Sequence, residues 1–161
     1  MTTICICGAG TMGSGIAQVS AAAGFVTLLF DVNEAAVHKA EEKLKKDLSS
    51  LVNKGKLTVE KQDTILSKIH FISDHMQCLA DVIIEAIIEK PEIKIELFNQ
   101  LATINSAKTI FASNTSSLSI SALAKKITAP ERVAGLHFFN PAPLMKLVEV
   151  VRGEQTSAEV M

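Results

Sequence analysis

The stretch TICICGAGTMG, residues 3–13, decides the fold of this chain. It opens with the short apolar run Thr3–Cys7, and the alanine-rich segment Met12–Ala23 that follows the glycines predicts a helix. Gly24 closes that helix, and a second apolar run occupies Val26–Phe30. A strand, a glycine-rich turn, a helix and another strand within about thirty residues predict a βαβ unit.

The glycine spacing G-x-G-x-x-G at residues 8–13 suits the pyrophosphate of a dinucleotide. Gly8 permits the tight turn out of the strand, Gly10 lets the backbone approach a phosphate without a Cβ atom, and Gly13 allows the helix to pack closely on the strand. The helix that follows directs its first N–H groups at the phosphates, so Thr11 and Met12 are also predicted cofactor contacts. Glycines at such a turn can also be purely structural, so the interpretation depends on the next strand.

Asp31 ends that next strand, at about the twenty-residue distance expected for a ribose-binding carboxylate. A carboxylate there accepts hydrogen bonds from the adenosine ribose and repels a 2′-phosphate. The following residues, Val32, Asn33 and Glu34, include no arginine. The sequence therefore predicts NAD rather than NADP. The alternative for Asp31 is a carboxylate that only serves the turn or the start of the next helix.

The rest of the chain keeps alternating between predicted strands and helices. Asn33 predicts an N-cap for a long charged helix, and Gly55 separates that helix from a second one, so that the two form a hairpin projecting from the sheet. The predicted helices are Glu34–Asn53, Val59–Lys68 and Pro91–Ile104, and the further strands are Ile69–Ile72, Asp81–Ile84, Thr109–Ala112, Arg132–Leu136 and Leu147–Val151. This order predicts an α/β fold of the Rossmann type, with a doubly wound, mainly parallel sheet in a single domain spanning residues 1–161.

The composition excludes several classes of protein. The net charge of −1 gives no reason to expect nucleic acid or an anionic membrane as a partner, and no apolar run approaches membrane-spanning length. Cys5 and Cys7 share one face of a predicted strand, but no second pair of ligands accompanies them, so we expect buried thiols and no metal. An odd number of cysteines without a secretion signal predicts a reducing cytoplasm.

Two polar stretches directly follow apolar strands of the second half. They are Ser113–Ser117, with the sequence SNTSS, and His137–Pro141, with the sequence HFFNP. In a parallel sheet these positions place polar groups where a ligand lies across the strand ends. A histidine after a strand is by itself more often structural than catalytic, so this pattern alone leaves both interpretations open.

The chain resembles the L-3-hydroxyacyl-CoA dehydrogenases from end to end. The residues that carry the resemblance are GAGTMGSGIAQ at 8–18, Asp31, VIIEAIIEK at 82–90, FASNTSSLSI at 111–120, GLHFFNP at 135–141 and MKLVEVV at 145–151. The likeness implies an enzyme that moves a hydride between an L-3-hydroxyacyl-CoA and NAD. A relative acting on small 3-hydroxy acids would share the first βαβ unit but would not explain the NTSSL and HFFNP segments.

The resemblance also implies roles for individual residues. His137 would be the general base, Glu149 would pair with it, and Ser116 would bind the 3-oxygen of the substrate near the nicotinamide. Asn140 would lie beside the nicotinamide. Imidazole titrates near neutral pH and a carboxylate fixes its tautomer, so these residue types suit the removal of a hydroxyl proton. For Glu149, an outward-facing strand carboxylate is the alternative.

Three more positions match ligand contacts of the family. Glu89 and Lys94 match positions at the cofactor and at the acyl-CoA, and Lys54 in the predicted hairpin is a weaker candidate for a CoA contact. For both lysines the alternative is an ordinary solvated helix residue.

The family resemblance further implies a helical C-terminal domain, which residues 1–161 do not encode. We therefore expect an NAD-binding domain whose catalytic residues are present but whose substrate clamp is incomplete. The alternative is a stand-alone NAD-binding module without turnover. An acyl-CoA substrate and a homo-oligomer are the expected partners.

Overall fold

Strands and helices alternate along the chain, as the sequence predicts. Over residues 2–161, which the computed structural model describes, the strands are β1 (Thr3–Cys7), β2 (Val26–Phe30), β3 (Ile69–Ile72), β4 (Val82–Glu85), β5 (Ile110–Ser113), β6 (Val133–Phe138) and β7 (Val148–Arg152). The α-helices are α1 (Thr11–Ala22), α2 (Glu34–Asn53), α3 (Val59–Ser67), α4 (Pro91–Ile104) and α5 (Ile120–Ala124), and short 3-10 helices occupy His75–Gln77 and Pro130–Arg132.

The described strands form one sheet of seven in the order β3-β2-β1-β4-β5-β6-β7. Strands β1 to β6 are parallel, and β7 runs antiparallel to β6. The order reverses at β1, with β2 and β3 on one side and β4 to β7 on the other. In open α/β sheets, ligands bind outside the carboxyl ends of the strands at this switch point. The parallel direction brings Gly8, Asp31 and Glu85 to that edge.

The alternation of side chains along the strands splits the core into two clusters, one on each face of the sheet. Ile4 and Ile6 of β1 belong to the cluster that includes residues of α1, α2 and α3. Cys5 and Cys7 point the other way, into the cluster that includes residues of α4 and α5. Helices therefore cover both faces, which confirms the doubly wound arrangement. Cys5 and Cys7 are buried free thiols, as expected, and Cys78 is a buried free thiol as well.

The bounds of β1, β2, β3, α2 and α4 are those predicted, and the other predicted elements differ by one or two residues. Two differences matter for the site. Strand β6 extends to Phe138, so His137 lies within a strand and not after it, because β7 supplies partners for the additional residues. Helix α5 was not predicted; it is short, and its start is fixed by Ser119, whose side chain accepts the N–H of Ala122.

The helical hairpin forms as predicted and begins at its predicted cap. The side chain of Asn33 accepts the N–H groups of Ala35 and Ala36 at 3.0 and 3.3 Å, and Gly55 adopts φ of +68° between α2 and α3. Leu44 and Leu48 are buried in the core cluster of this face. The hairpin is therefore held to the sheet by the apolar stripe of α2.

Candidate active site

The turn after β1 is built so closely that two positions require glycine. Gly8 has φ of +108°, and a Cβ atom there would lie 2.6 Å from the carbonyl oxygen of Ala86. A Cβ atom on Gly13 would lie 1.7 Å from the carbonyl oxygen of Gly8. At Gly10, by contrast, nothing lies within 4 Å of the Cβ position. The turn is thus tightly packed against the protein at Gly8 and Gly13, and it has open space at Gly10.

This open side fits a dinucleotide phosphate. Helix α1 begins at Thr11, and within residues 2–161 no side chain caps its first turn. Uncapped N–H groups at a helix start, together with the positive end of the helix dipole, favour a bound anion. The open space at Gly10 and the amides of the first turn, which include Thr11 and Met12, therefore fit the pyrophosphate of NAD.

Asp31 is held in place by the backbone. Its Oδ2 accepts the N–H of Ala9 at 2.9 Å, and its Oδ1 accepts the N–H of Asn33 at 3.0 Å. Each carboxylate oxygen retains a lone pair for a further donor. Asp31 lines a cavity of about 460 Å³ together with Gly8 and Gly10. A ribose that lies in this cavity would find the carboxylate already oriented.

The same cavity has an apolar wall that was not predicted from the sequence. Val32, Ile88 and Ile93 line it, and Val32 is 83% exposed. Exposed aliphatic side chains next to an oriented carboxylate fit the flat face of an adenine ring. In the sequence, this wall is indicated only by Val32, directly after Asp31, and by the apolar residues Ile88 and Ile93 around the start of α4. Their convergence depends on β4 lying beside β1.

Two lysines share a cavity with Asp31. Lys39 and Lys43, one helical turn apart on α2, line a neighbouring cavity of about 320 Å³ with Asp31 and Gly10. The residues directly after Asp31 in the sequence include no cation, so these lysines were not predicted. Lys43 is engaged by Asp47, whose Oδ2 lies 2.5 Å from its Nζ. Two cations of α2 therefore share a cavity with Asp31, and one of them is paired with Asp47.

His137 and Glu149 are brought together by the antiparallel pairing of β6 with β7. They are directly opposite each other in the register, and His137 Nδ1 lies 2.8 Å from Glu149 Oε2. Their side chains are 19% and 50% exposed. An imidazole whose Nδ1 faces a carboxylate presents Nε2 as its free base. The pair has the geometry of a general base with an orienting carboxylate.

The loop of Ser116 is tied to the strand that carries His137. Ser116 is exposed, three residues beyond the end of β5 at Ser113. Asn114 between them accepts the N–H of Phe138 through its Oδ1 at 2.8 Å. Because Phe138 directly follows His137, this bond links the two segments predicted to be catalytic.

Asn140 lies near the start of α1, two residues beyond the end of β6. It precedes a cis peptide bond to Pro141 and lines a cavity of about 120 Å³ with Thr11 and Ser14. The structure thus places Asn140 on the same side of the sheet edge as the glycine turn.

Comparison with known proteins agrees with this geometry. Residues 3–161 match the sequence profile of the family described as 3-hydroxyacyl-CoA dehydrogenase, NAD binding domain. The chain belongs to this family. The resemblance seen in the sequence is thereby confirmed, and NAD is the cofactor of such a domain.

The relatives of this NAD-binding domain include bacterial dehydrogenases and mitochondrial ones of mammals. The 3-hydroxyadipyl-CoA dehydrogenase of Escherichia coli K12 is 48% identical over 160 residues, which cover 99% of this chain and 34% of that protein. A crystal structure of 3-hydroxybutyryl-CoA dehydrogenase from Escherichia coli K12 superposes with a TM-score of 0.95 at 48% identity, covering 99% of this chain and 34% of that one. For (S)-3-hydroxybutyryl-CoA dehydrogenase from Ralstonia eutropha the TM-score is 0.95 at 39% identity, with 99% and 57% covered. The chain thus spans between about a third and just over half of these relatives.

Within this 3-hydroxyacyl-CoA dehydrogenase domain, Lys94 is not the solvated residue considered as an alternative. Its side chain is 1% exposed, and its Nζ lies 2.6 Å from Glu85 Oε1 and 2.9 Å from Glu89 Oε2. Glu89, by contrast, is 41% exposed at the edge of this cluster. The ammonium is therefore engaged by two carboxylates, and a direct contact with acyl-CoA stays a prediction that this geometry does not favour.

Glu89 is held in its charged form. Partial burial alone would raise its pKa, but hydrogen bonds from Thr115 and Lys94, with the positive charge of Lys94, hold the pKa of Glu89 below its ordinary value. A charged carboxylate at this exposed edge is available to a cofactor or substrate, and the predicted cofactor contact of Glu89 stays a prediction.

Lys54 is exposed and caps the end of α2, so it faces solvent in the hairpin. Its CoA contact also stays a prediction. Residues 2–161 contain no cluster of three or more potential metal ligands among histidine, cysteine and acidic side chains. Within the same residues, no helix combines the length and apolar character that crossing a membrane requires.

Proposed function

We propose that this chain supplies the NAD-binding and proton-transfer groups of an enzyme that interconverts L-3-hydroxyacyl-CoA and 3-oxoacyl-CoA. The observation that carries the proposal is the contact of 2.8 Å between His137 Nδ1 and Glu149 Oε2, on the strand next to the loop of Ser116. Membership of the dehydrogenase family supports it.

His137 and Glu149 would handle the proton. Glu149 accepts the Nδ1 proton of His137 as a hydrogen bond, so Nε2 is left unprotonated and can take the 3-hydroxyl proton of the substrate. The carboxylate then stabilises the imidazolium that forms. Ser116 would donate its hydroxyl to the substrate's 3-oxygen. NAD, when bound, accepts the hydride that leaves C3.

Three regions of the chain would hold the cofactor. The amides after Gly10 would bind the pyrophosphate, Asp31 would accept the adenosine ribose hydroxyls, and the wall at Val32 and Ile93 would contact the adenine. A 2′-phosphate near Asp31 would meet a like charge that costs on the order of one kcal/mol or more.

Calorimetric titration with both cofactors tests the role of Asp31. We expect NAD to bind more tightly than NADP, and Asp31→Ala to narrow the difference. Glu34→Gln, which removes a carboxylate three residues further on, is the matched control and should leave the ratio unchanged. Equal affinities of the unmodified protein for the two cofactors would contradict the assignment.

We also propose that acyl-CoA is enclosed by a second, helical domain in the working enzyme, because a reacting pair must be held in line for efficient hydride transfer. Reduction of acetoacetyl-CoA by NADH, measured with this chain alone and with such a domain supplied, tests this. Turnover only with the second domain is expected. Binding of NADH without turnover under both conditions would favour a stand-alone NAD-binding module.

Finally, we propose that the protein forms a homo-oligomer and works in the cytoplasm. Leu144, Leu147 and Val150, near and on the edge strand β7, are 74%, 58% and 57% exposed. Apolar surface that is exposed over a contiguous area is usually covered by a partner. Light scattering that shows only a monomer at micromolar concentration would contradict the oligomer.

The buried free thiols are consistent with a reducing compartment such as the cytoplasm. Cell fractionation tests this location.

A further inference from the structure

We propose that Glu85 is a positioning residue which, through Lys94 and Glu89, holds the loop of Ser116 in its working position. This inference rests on the function proposed above. It concerns a residue that makes none of the ligand contacts expected for the family and that lies entirely within the protein.

The Glu85–Lys94 pair is the most buried ion pair described in residues 2–161. Glu85 is 0% exposed, Lys94 is 1% exposed, and their closest atoms are 2.6 Å apart. Removing two charges from water is costly, and apolar side chains of similar size often stabilise a core at least as well. Stability alone therefore does not explain why charges occupy this position.

Both carboxylate oxygens of Glu85 accept hydrogen bonds from other segments of the chain. Oε1 accepts Lys94 of α4 and the N–H of Ile87 at 2.8 Å, and Oε2 accepts the hydroxyl of Ser113 at 2.7 Å. Glu85 is the last residue of β4, and Ser113 is the last residue of β5. The carboxylate thus fixes the carboxyl ends of two neighbouring strands to α4.

Lys94 and Glu89 extend this connection to the loop. Lys94 Nζ also contacts Glu89 Oε2 at 2.9 Å, and Glu89 Oε1 accepts the hydroxyls of Thr115 and Ser117. Thr115 Oγ1 in turn accepts the N–H groups of Ser117 and Leu118 at 3.3 and 3.0 Å. The residues on both sides of Ser116 are therefore anchored, while Ser116 itself is exposed.

These contacts predict how the loop responds when Glu85 loses its charge. Lys94 would lose one of its two carboxylate partners and draw Glu89 inward, away from Thr115 and Ser117. The loop would then sample positions in which the Ser116 hydroxyl is not aligned with the catalytic histidine. A misplacement of this size lowers turnover more than it lowers ligand affinity.

The variant Glu85→Gln tests the proposal because it preserves the side-chain volume. We expect kcat for acetoacetyl-CoA reduction to fall at least about tenfold, while the Kd of NADH, which Glu89 is predicted to contact, rises by a smaller factor. Amide hydrogen exchange at Ser117 and Leu118 should accelerate, whereas the amides of β1 stay protected. The matched control is Glu41→Gln, whose carboxylate lies 2.6 Å from Lys45 on the surface of α2 and which should change neither quantity.

A double variant separates positioning from folding. Glu85→Met with Lys94→Met replaces the buried pair by apolar side chains, which restores or preserves stability in many proteins. If Glu85 served stability alone, this variant would recover the melting temperature and leave the amides of Ser117 and Leu118 as protected as in the unmodified protein. We expect the melting temperature to recover in part, because Ile87 and Ser113 lose their acceptor, and these two amides to exchange faster, because Glu89 has lost its ammonium. This measurement does not depend on any ligand contact of Lys94.

The outcomes distinguish this inference from the proposed function. Absence of turnover in the unmodified protein, with its second domain supplied, would overturn the function. Normal turnover of the unmodified protein together with a kcat of Glu85→Gln within about twofold of it would overturn the role of Glu85 alone. Unchanged exchange at Ser117 and Leu118 would overturn it as well, independently of any activity.

Discussion

Two side-chain pairs at the carboxyl edge of the sheet each join a carboxylate to a nitrogen group. One pair is partly exposed to solvent, and the other is buried. His137 and Glu149 approach to 2.8 Å with side chains 19% and 50% exposed, whereas Lys94 and Glu85 approach to 2.6 Å with side chains 1% and 0% exposed. The first pair lies on the last two strands of the sheet. The second lies beneath the central strands, between β4 and α4.

The difference in exposure explains why the two pairs suit different tasks. A group in contact with water can gain and lose a proton at modest cost, and its partner adjusts with it. A buried pair keeps its charges only while both are present, because an unpaired charge in the interior costs several kcal/mol. The exposed pair is therefore suited to proton transfer, and the buried pair is suited to fixing geometry.

The largest expected effect comes from breaking the exposed pair at its base. His137→Gln should lower turnover about a hundred- to ten-thousandfold, because loss of a general base typically costs that much. NADH affinity should change little, since His137 does not line the cavity of Asp31. Steady-state kinetics and calorimetry on the same sample provide the measurement. A variant with unmodified turnover at neutral pH would show that another group takes the proton.

Breaking the buried pair at its cation should lower the stability of the fold, in addition to its effect on the loop of Ser116. Lys94→Met leaves Glu85 without its counter-charge, and such a change costs about 3–5 kcal/mol in the free energy of unfolding. Urea denaturation followed by circular dichroism measures it. The control is Lys45→Met, which breaks the surface ion pair of Lys45 with Glu41 on α2. It should cost no more than about 1 kcal/mol in the free energy of unfolding. Equal effects of the two substitutions would remove the distinction between the pairs.

Removing only the orienting carboxylate of the exposed pair should have an intermediate effect. Glu149→Gln retains a hydrogen-bond acceptor for Nδ1 but loses the charge that stabilises the imidazolium, so we expect about a tenfold loss of kcat. Stability should change by less than about 1 kcal/mol, because the carboxylate is half exposed. A variant that lost stability but kept kcat would reverse the roles assigned to the two pairs.

The smallest expected effect is a pH dependence at the exposed end of the buried cluster. The pKa of Glu89 is lowered in the folded protein, so its contribution to stability is present above the unfolded pKa and is lost as the pH falls through the folded pKa. The stability difference between the protein and Glu89→Gln should therefore shrink as the pH falls below about 4.3. Denaturation curves at neutral and acidic pH measure it. A difference that stays constant would show that Glu89 gains nothing from its charge in the folded state.

Much of the site could be predicted because its residues act near their own position in the chain. The G-x-G-x-x-G turn, the cap at Asn33 and the carboxylate of Asp31 are local features, and each is where the sequence placed it. His137 and Glu149 were paired only through the family resemblance. Nothing in their separation of 12 residues indicates that β6 and β7 bring them face to face.

Other parts of the site could not be predicted because they are made of residues from distant elements. The apolar wall around Val32 and Ile93 exists only because β4 lies beside β1, and the lysines near Asp31 depend on how α2 packs. The burial of Lys94 is of the same kind. In the sequence it is an ordinary helix lysine, and only the position of α4 over β4 makes it a buried cation.

The sequence by itself determined the alternating fold, the phosphate-binding turn and the family, since these depend on local backbone requirements and on short motifs. The tertiary structure alone decided which polar side chains are removed from water, and therefore which carboxylate assists a base and which one holds a loop. Burial is a property of everything that packs around a residue, and no local pattern specifies it. Glu85 and Glu149 are the same residue type on two strands of one sheet, but packing leaves one 0% and the other 50% exposed and gives them a lysine and a histidine as partners, so their roles differ.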